Sequence, residues 1–195
     1  PLPTRLGRVL VEAERLGIGD QGALAVSLLA ERDIVLSDRR FDSRGRAAAV
    51  DSDLEERIER FEEAAYSNFN GSTLRALELD ATRTRAVDQS WKQLKRLLSA
   101  SANTPPSSSR ESPARALNRA LLQGYADRVA ERRGDSNELV LSSGGAARLA
   151  DTSGVYRSPL LLALSADSSG GRQRDAFVRL AAAIDADLLF DAVGH

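Results

Sequence analysis

The residues in this chain best equipped for chemistry are its basic ones, and nearly all of them are arginine. Of 27 basic residues, only Lys92 and Lys95 are lysines. A guanidinium is a planar fork of donors that matches a phosphate, so an arginine bias suits phosphate recognition. A genome of biased base composition would leave the same mark. Three basic positions, Lys92, Lys95 and Arg96, stand at i, i+3 and i+4 and so share one face of a helix. Arg132 and Arg133 end a stretch of helical spacing, and Arg148 follows a Gly-Gly turn. A groove where a helical bundle meets a sheet would gather Arg132, Arg133 and Arg148. A solvated helix face is the plainer reading of the lysine-bearing set.

Residues for catalysis are scarce. His195 is the single histidine and cysteine is absent, so no ordinary zinc site can be assembled. No glycine-rich phosphate loop ending in Gly-Lys-Ser/Thr occurs, nor a dinucleotide glycine fingerprint. Ser142 and Ser143 precede Gly144-Gly145 without a base to activate them. Glu55-Glu56 and Glu62-Glu63 have the spacing of exposed helix faces rather than of an acid/base pair. The expectation is a chain with no catalytic residue, no metal site and no cofactor-binding site of its own.

The elements that must position the arginines come in two styles. Leu6, Val9, Leu10, Ala13 and Leu16 mark a first helix that Gly17 ends, with Thr4 as its N-cap. Leu24, Val26, Leu28 and Leu29 mark a second. Ser52-Asp53-Leu54-Glu55 has capping-box spacing and opens a third, with Leu54, Ile58, Phe61 and Ala65 as its buried stripe. After a turn at Asn68–Ser72, a long helix is expected from Thr73 to Leu98, with a seam that buries Trp91. Ser112-Pro113 starts another helix, serine as N-cap and proline at N1, which Gly134 stops.

Strand signals then take over. Leu139-Val140-Leu141 and a run through Leu149 flank Gly144-Gly145 and read as a hairpin. Along the second run, alternation puts Arg148 outside if Leu149 is core. Pro159–Leu164 and Phe177–Leu180 are further strands, and Asp185–Val193 is a short closing helix. That many short strands in so few residues suit a small barrel. The fold class is therefore α+β: a helical bundle over residues 1–134, then a small antiparallel barrel with a C-terminal helix over residues 135–195. Tyr125, Tyr156 and Phe177 are the aromatics on the barrel side, read as core before stacking surfaces. Residues 99–112, rich in serine and proline, are expected to form a mobile linker. The loop at 38–50 carries Arg39, Arg40, Arg44 and Arg46 and reads either as solvated or as touching phosphates.

Composition sets outer limits. Hydrophobic residues at 42% and charged ones at 28% describe a globular chain, and no apolar run reaches the roughly 20 residues that cross a bilayer. A net charge of −1 gives no global attraction to nucleic acid, so any such binding must be local. No membrane partner and a cytoplasmic location are expected. The chain begins with Pro1 and lacks methionine, the pattern expected of a piece of a longer parent.

Several segments resemble the C-terminal region of the HrpB-type DEAH-box ATP-dependent helicases. PLPTRLGRVLVEA resembles the family's passage from its winged-helix domain into the helical bundle, LLAERD its next helix end, and SWKQLKRLL a Q-L-x-R-x-L helix. Most specific is ALLQGYADRVAERRG with LVLSSGGAARLAD, similar to the family's G-Y-P-D-R-I-A-x-R-R-G and the strand after it, with Ala126 where the family prefers proline. FVRLAAAIDADLLFDAV resembles the family's continuation. The resemblance implies a helicase-associated ratchet bundle followed by an OB-like antiparallel β-barrel, guiding the single strand that leaves the motor. It also implies that ATP and Mg act in RecA-like domains outside this chain, which with the winged-helix domain would be its partners. RNA is the expected strand, although no residue here separates RNA from DNA. The nucleic-acid-binding residues expected from their placement are Arg132, Arg133, Arg148, Lys92, Lys95 and Arg96. A reading of another class remains: a helical protein-interaction module whose barrel binds a partner and not nucleic acid.

Overall fold

A computed structural model describes residues 2–36, 48–101, 111–167 and 176–193. The expected mobile linker lies outside them except at its ends, as do the arginines of the 38–50 loop, the 168–175 connection and His195. The chain divides into two compact units. One comprises Pro1–Leu36 and Glu55–Gly124, the other Ser37–Leu54 and Tyr125–His195.

The first unit is helical: α1 (Thr4–Arg15), α2 (Gly19–Ala30), most of α3 (Asp53–Tyr66), α4 (Gly71–Ala76), α5 (Ala81–Ser101) and α6 (Pro113–Tyr125). Pro3, not Thr4, occupies the N-cap of α1. At the other end, Gly17 N–H donates to Glu14 and Ile18 N–H to Ala13, satisfying two carbonyls the last turn leaves open. α2 packs against both α1 and α5, and Gly22 through Leu28 are buried without interruption. That helix approaches α1 closely because Gly22 has no side chain: a Cβ there would lie 2.2 Å from that of Ala13. Leu54, Ile58 and Phe61 of α3 are buried as expected, with Ala64 rather than Ala65 completing the stripe.

The long helix expected from Thr73 to Leu98 is two helices. Glu78 adopts a φ of 54°, Leu79 N–H bonds back to Leu74, and Asp80 restarts the chain by accepting from the N–H of Arg83. α5 then continues to Ser101, into the stretch read as linker. Trp91 is half-buried, not fully buried. Its ring meets Phe61 edge-on at 5.7 Å, and its Nε1 donates to the Asp20 carbonyl. Ser112 caps α6, its Oγ accepting from the Arg115 N–H at 3.3 Å.

The second unit is a closed five-stranded barrel: β1 (Val129–Arg132), β2 (Glu138–Leu141), β3 (Ala146–Leu149), β4 (Leu160–Asp167) and β5 (Ala176–Ala183), with α7 (Ala186–Val193) after it. The order around the barrel is β1-β2-β3-β5-β4. Two expectations are corrected. Residues 129–132 are strand rather than helix end, because their backbone pairs with β2 on one side and β4 on the other. The barrel therefore begins before Gly134, and the division between units falls after Gly124. The barrel is also mixed and not wholly antiparallel, since β3 and β5 run parallel. The β2–β3 hairpin forms as expected, with Gly144 and Gly145 at φ values of 79° and 134° that side chains disfavour.

Small and branched side chains fill the barrel: Ala130, Leu139, Ala147, Leu149, Leu161, Ala163, Val178 and Ala181. A segment from far earlier in the chain joins it. Val50 N–H donates to Gly154 O, Ala183 N–H to Asp51 O, and Ser52 bridges Ala182. Asp53 is fully buried there, accepting from Ser153 Oγ at 2.6 Å and from the N–H groups of Gly154 and Ala181 at 2.9 Å.

Candidate nucleic-acid interface

The six basic residues divide between the two units, three in each. On β1, Arg132 points inward and keeps only 8% of its surface exposed. Its Nε donates to Ser158 O at 2.9 Å, and its terminal nitrogens donate to Ser136 O at 2.9 Å and Val155 O at 2.6 Å. A guanidinium spent on three carbonyls holds loops together and is not presented to a phosphate. Arg132 is therefore a structural residue of the barrel, contrary to its reading as a helix-end contact. The spacing that suggested a helix hid the strand alternation that turns this side chain in and Arg133 out.

Arg133 is exposed and approaches Glu138 at 3.9 Å. Such a pair in open solvent contributes little and can open at low cost. Arg148 on β3 is exposed, with Leu149 buried beside it, as alternation requires. Among the described residues it has no ion pair. Its register partners are Glu138 on β2 and Phe177 on β5. Phe177 is 38% exposed, which corrects its reading as core. The parallel β3–β5 ladder thus sets Arg148 in register with a partly exposed aromatic residue on the barrel's outer wall. Val140 and Arg179 are exposed on the neighbouring outward positions of β2 and β5. The other aromatics differ: Tyr125 is buried, and Tyr156 is half-buried against the barrel core.

On α5 the two lysines are already engaged. Lys92 pairs with Asp88 at 2.6 Å. Lys95 pairs with Asp20 at 2.8 Å and sits 4.5 Å over the Trp91 ring. Arg96 is exposed and has no ion pair among the described residues. Two of these three cations would have to leave carboxylates to meet a phosphate. Arg57 and Arg60 of α3, not singled out from sequence, are buried and structural as well. Arg57 pairs with Asp33 and Glu56, and Arg60 with Glu56.

Reasoning from sequence missed Phe177 as a surface residue. The alternation in Ala176–Leu180 carries that signal, since Phe177 and Arg179 fall opposite buried Val178 and Leu180. That Arg148 lies across the ladder from it has no such local signal. Among the described residues, no cluster of histidine or acidic residues could hold a metal ion. Among the described residues, no helix is long and apolar enough to cross a membrane.

No protein-family model matches the chain, and no curated protein matches it. Among solved structures, it is similar to the crystal structure of the E. coli DExH-box NTPase HrpB, with a TM-score of 0.59 and 21% identity over 98% of this chain. What the two share is a fold. The chain spans 18% of the length of that structure's chain. The likeness thus runs through both the helical unit and the barrel.

Proposed function

We propose that this chain is an accessory nucleic-acid-binding region of an ATP-dependent helicase, which guides a single strand, RNA in our reading, as it leaves the motor. The observation that carries this reading is Arg148 beside Phe177 on the barrel's outer wall. Single-strand binders pair cations for the backbone with exposed rings on which bases stack. Both parts are present, and Arg133, just after β1, lies across Glu138 of β2 from Arg148. The five-stranded order, with its parallel closing ladder, supports an OB-like module of the kind that binds oligonucleotides on its outer face. Similarity of fold to HrpB supports the placement in a helicase, where nucleotide hydrolysis would belong to other domains.

A salt titration of a fluorescent single strand tests the reading. For the native chain, log K should fall with log salt at a slope of about −0.7 for each phosphate neutralised. Replacing both Arg133 and Arg148 with glutamate should flatten that slope by about 1.4. Phe177→Ala should weaken binding by about 1–3 kcal/mol with the slope unchanged. Binding that ignores salt and both sets of substitutions would point instead to the protein-interaction module.

A further inference from the structure

Besides the Arg148–Phe177 pair, the barrel unit has an open cleft of about 440 Å³, lined by Arg132, Gly134, Asp135, Tyr156, Arg157 and Pro159. Its walls come from the end of β1, the turn after it and the segment entering β4. Tyr156 is half-buried, packed on the barrel core, and lines the cleft. The Arg157 guanidinium lies 5.9 Å from that ring's centroid. This is near the outer limit, about 6 Å, at which a cation still feels a ring's face. A flat ligand could displace so loose a contact by a small rotation of an exposed side chain. Arg132, which lines the cleft, ties Ser136, Val155 and Ser158 together.

We infer that this cleft takes one nucleobase with its 5′-phosphate, the base against Tyr156 and the phosphate toward Arg157. Three observations meet here. The volume lies within the range of small-molecule sites, about 300–1,000 Å³. The Tyr156 ring supplies a stacking surface for any base. Arg157 supplies a cation beside that ring, while the Asp135 carboxylate offers an acceptor to a base's amino group. Because the base belongs to the same kind of strand that the outer wall is proposed to carry, this site rests on that reading and would hold one unstacked nucleotide of it.

The test uses mononucleotides, so its failure is separate from failure of the outer-wall reading. Adenosine 5′-monophosphate is titrated into the full chain while backbone amide shifts are followed. The expected result is shifts confined to residues 133–136 and 155–158, saturating in the millimolar range. Tyr156→Ala should weaken that binding at least about fivefold, and Tyr156→Phe should leave it within about twofold. Should the alanine variant fail to fold, Arg157→Glu, at an exposed position, should weaken binding by a comparable factor. Ribose 5-phosphate shifting the same amides with equal affinity would overturn the inference, since the base would then contribute nothing. Absence of shifts at ten millimolar nucleotide would also overturn it, whatever the oligonucleotide titration with Arg148→Glu shows.

Discussion

Replacing Arg132 with alanine should damage the barrel rather than a binding surface, and the size of the effect can be worked from its contacts. The side chain is 8% exposed and donates to three backbone carbonyls, those of Ser136, Val155 and Ser158. A hydrogen bond from a charged group contributes about 1.5–3 kcal/mol net. The three share one side chain and are not additive, so we expect a loss of about 3–5 kcal/mol. Against a typical domain stability of about 5–15 kcal/mol, the barrel should stay mostly folded but open far more often. Amide hydrogen exchange reads this directly: protection of the slowest β1 and β4 amides should fall roughly 140- to 4,000-fold, at about 1.4 kcal/mol per tenfold. Trp91 lies in the helical unit, so its fluorescence provides a separate report on folding there. Arg132→Lys keeps the charge but offers a point donor in place of a fork, and should recover only part of the protection. If Arg132→Ala left barrel protection within about fivefold of the native chain while abolishing single-strand binding, the structural role assigned here would be refuted.

Two further substitutions probe the framework. Asp53→Asn places an amide N–H₂ where a carboxylate accepts from Ser153, Gly154 and Ala181, and should cost about 2–4 kcal/mol; exchange at the Gly154 and Ala181 amides should rise, and unchanged exchange there would contradict the anchoring role. Gly22→Val forces atoms into space where even a Cβ meets that of Ala13 at 2.2 Å. It should lose about 1–3 kcal/mol in denaturant titration followed by Trp91 fluorescence, and a midpoint within error of the native one would show that α1 and α2 can part freely.

Local pattern determined much of this fold, and it did so wherever one face of an element decides the outcome. Leu6, Val9 and Ala13 repeat with helical period and are buried; Leu139, Ala147 and Leu149 alternate and fill the barrel. Gly144-Gly145 specified a hairpin because few other residues take its backbone angles. Arg148 was legible as exposed from Leu149 alone. What sequence could not settle were the pairings between distant segments. Residues 129–132 follow helical spacing after α6, yet backbone hydrogen bonds to β2 and β4 turn them into strand and bury Arg132. Asp53 stood in a capping-box pattern at one helix start, and only the return of residues 153–154 and 181 to its side explains a buried carboxylate. The Arg148–Phe177 pair depends on a parallel ladder between β3 and β5, strands separated by the whole of β4. Periodicity reports which way a side chain faces within its own element. Which element lies next to it depends on the closing of the barrel, a property of the assembled chain that no single window of sequence contains.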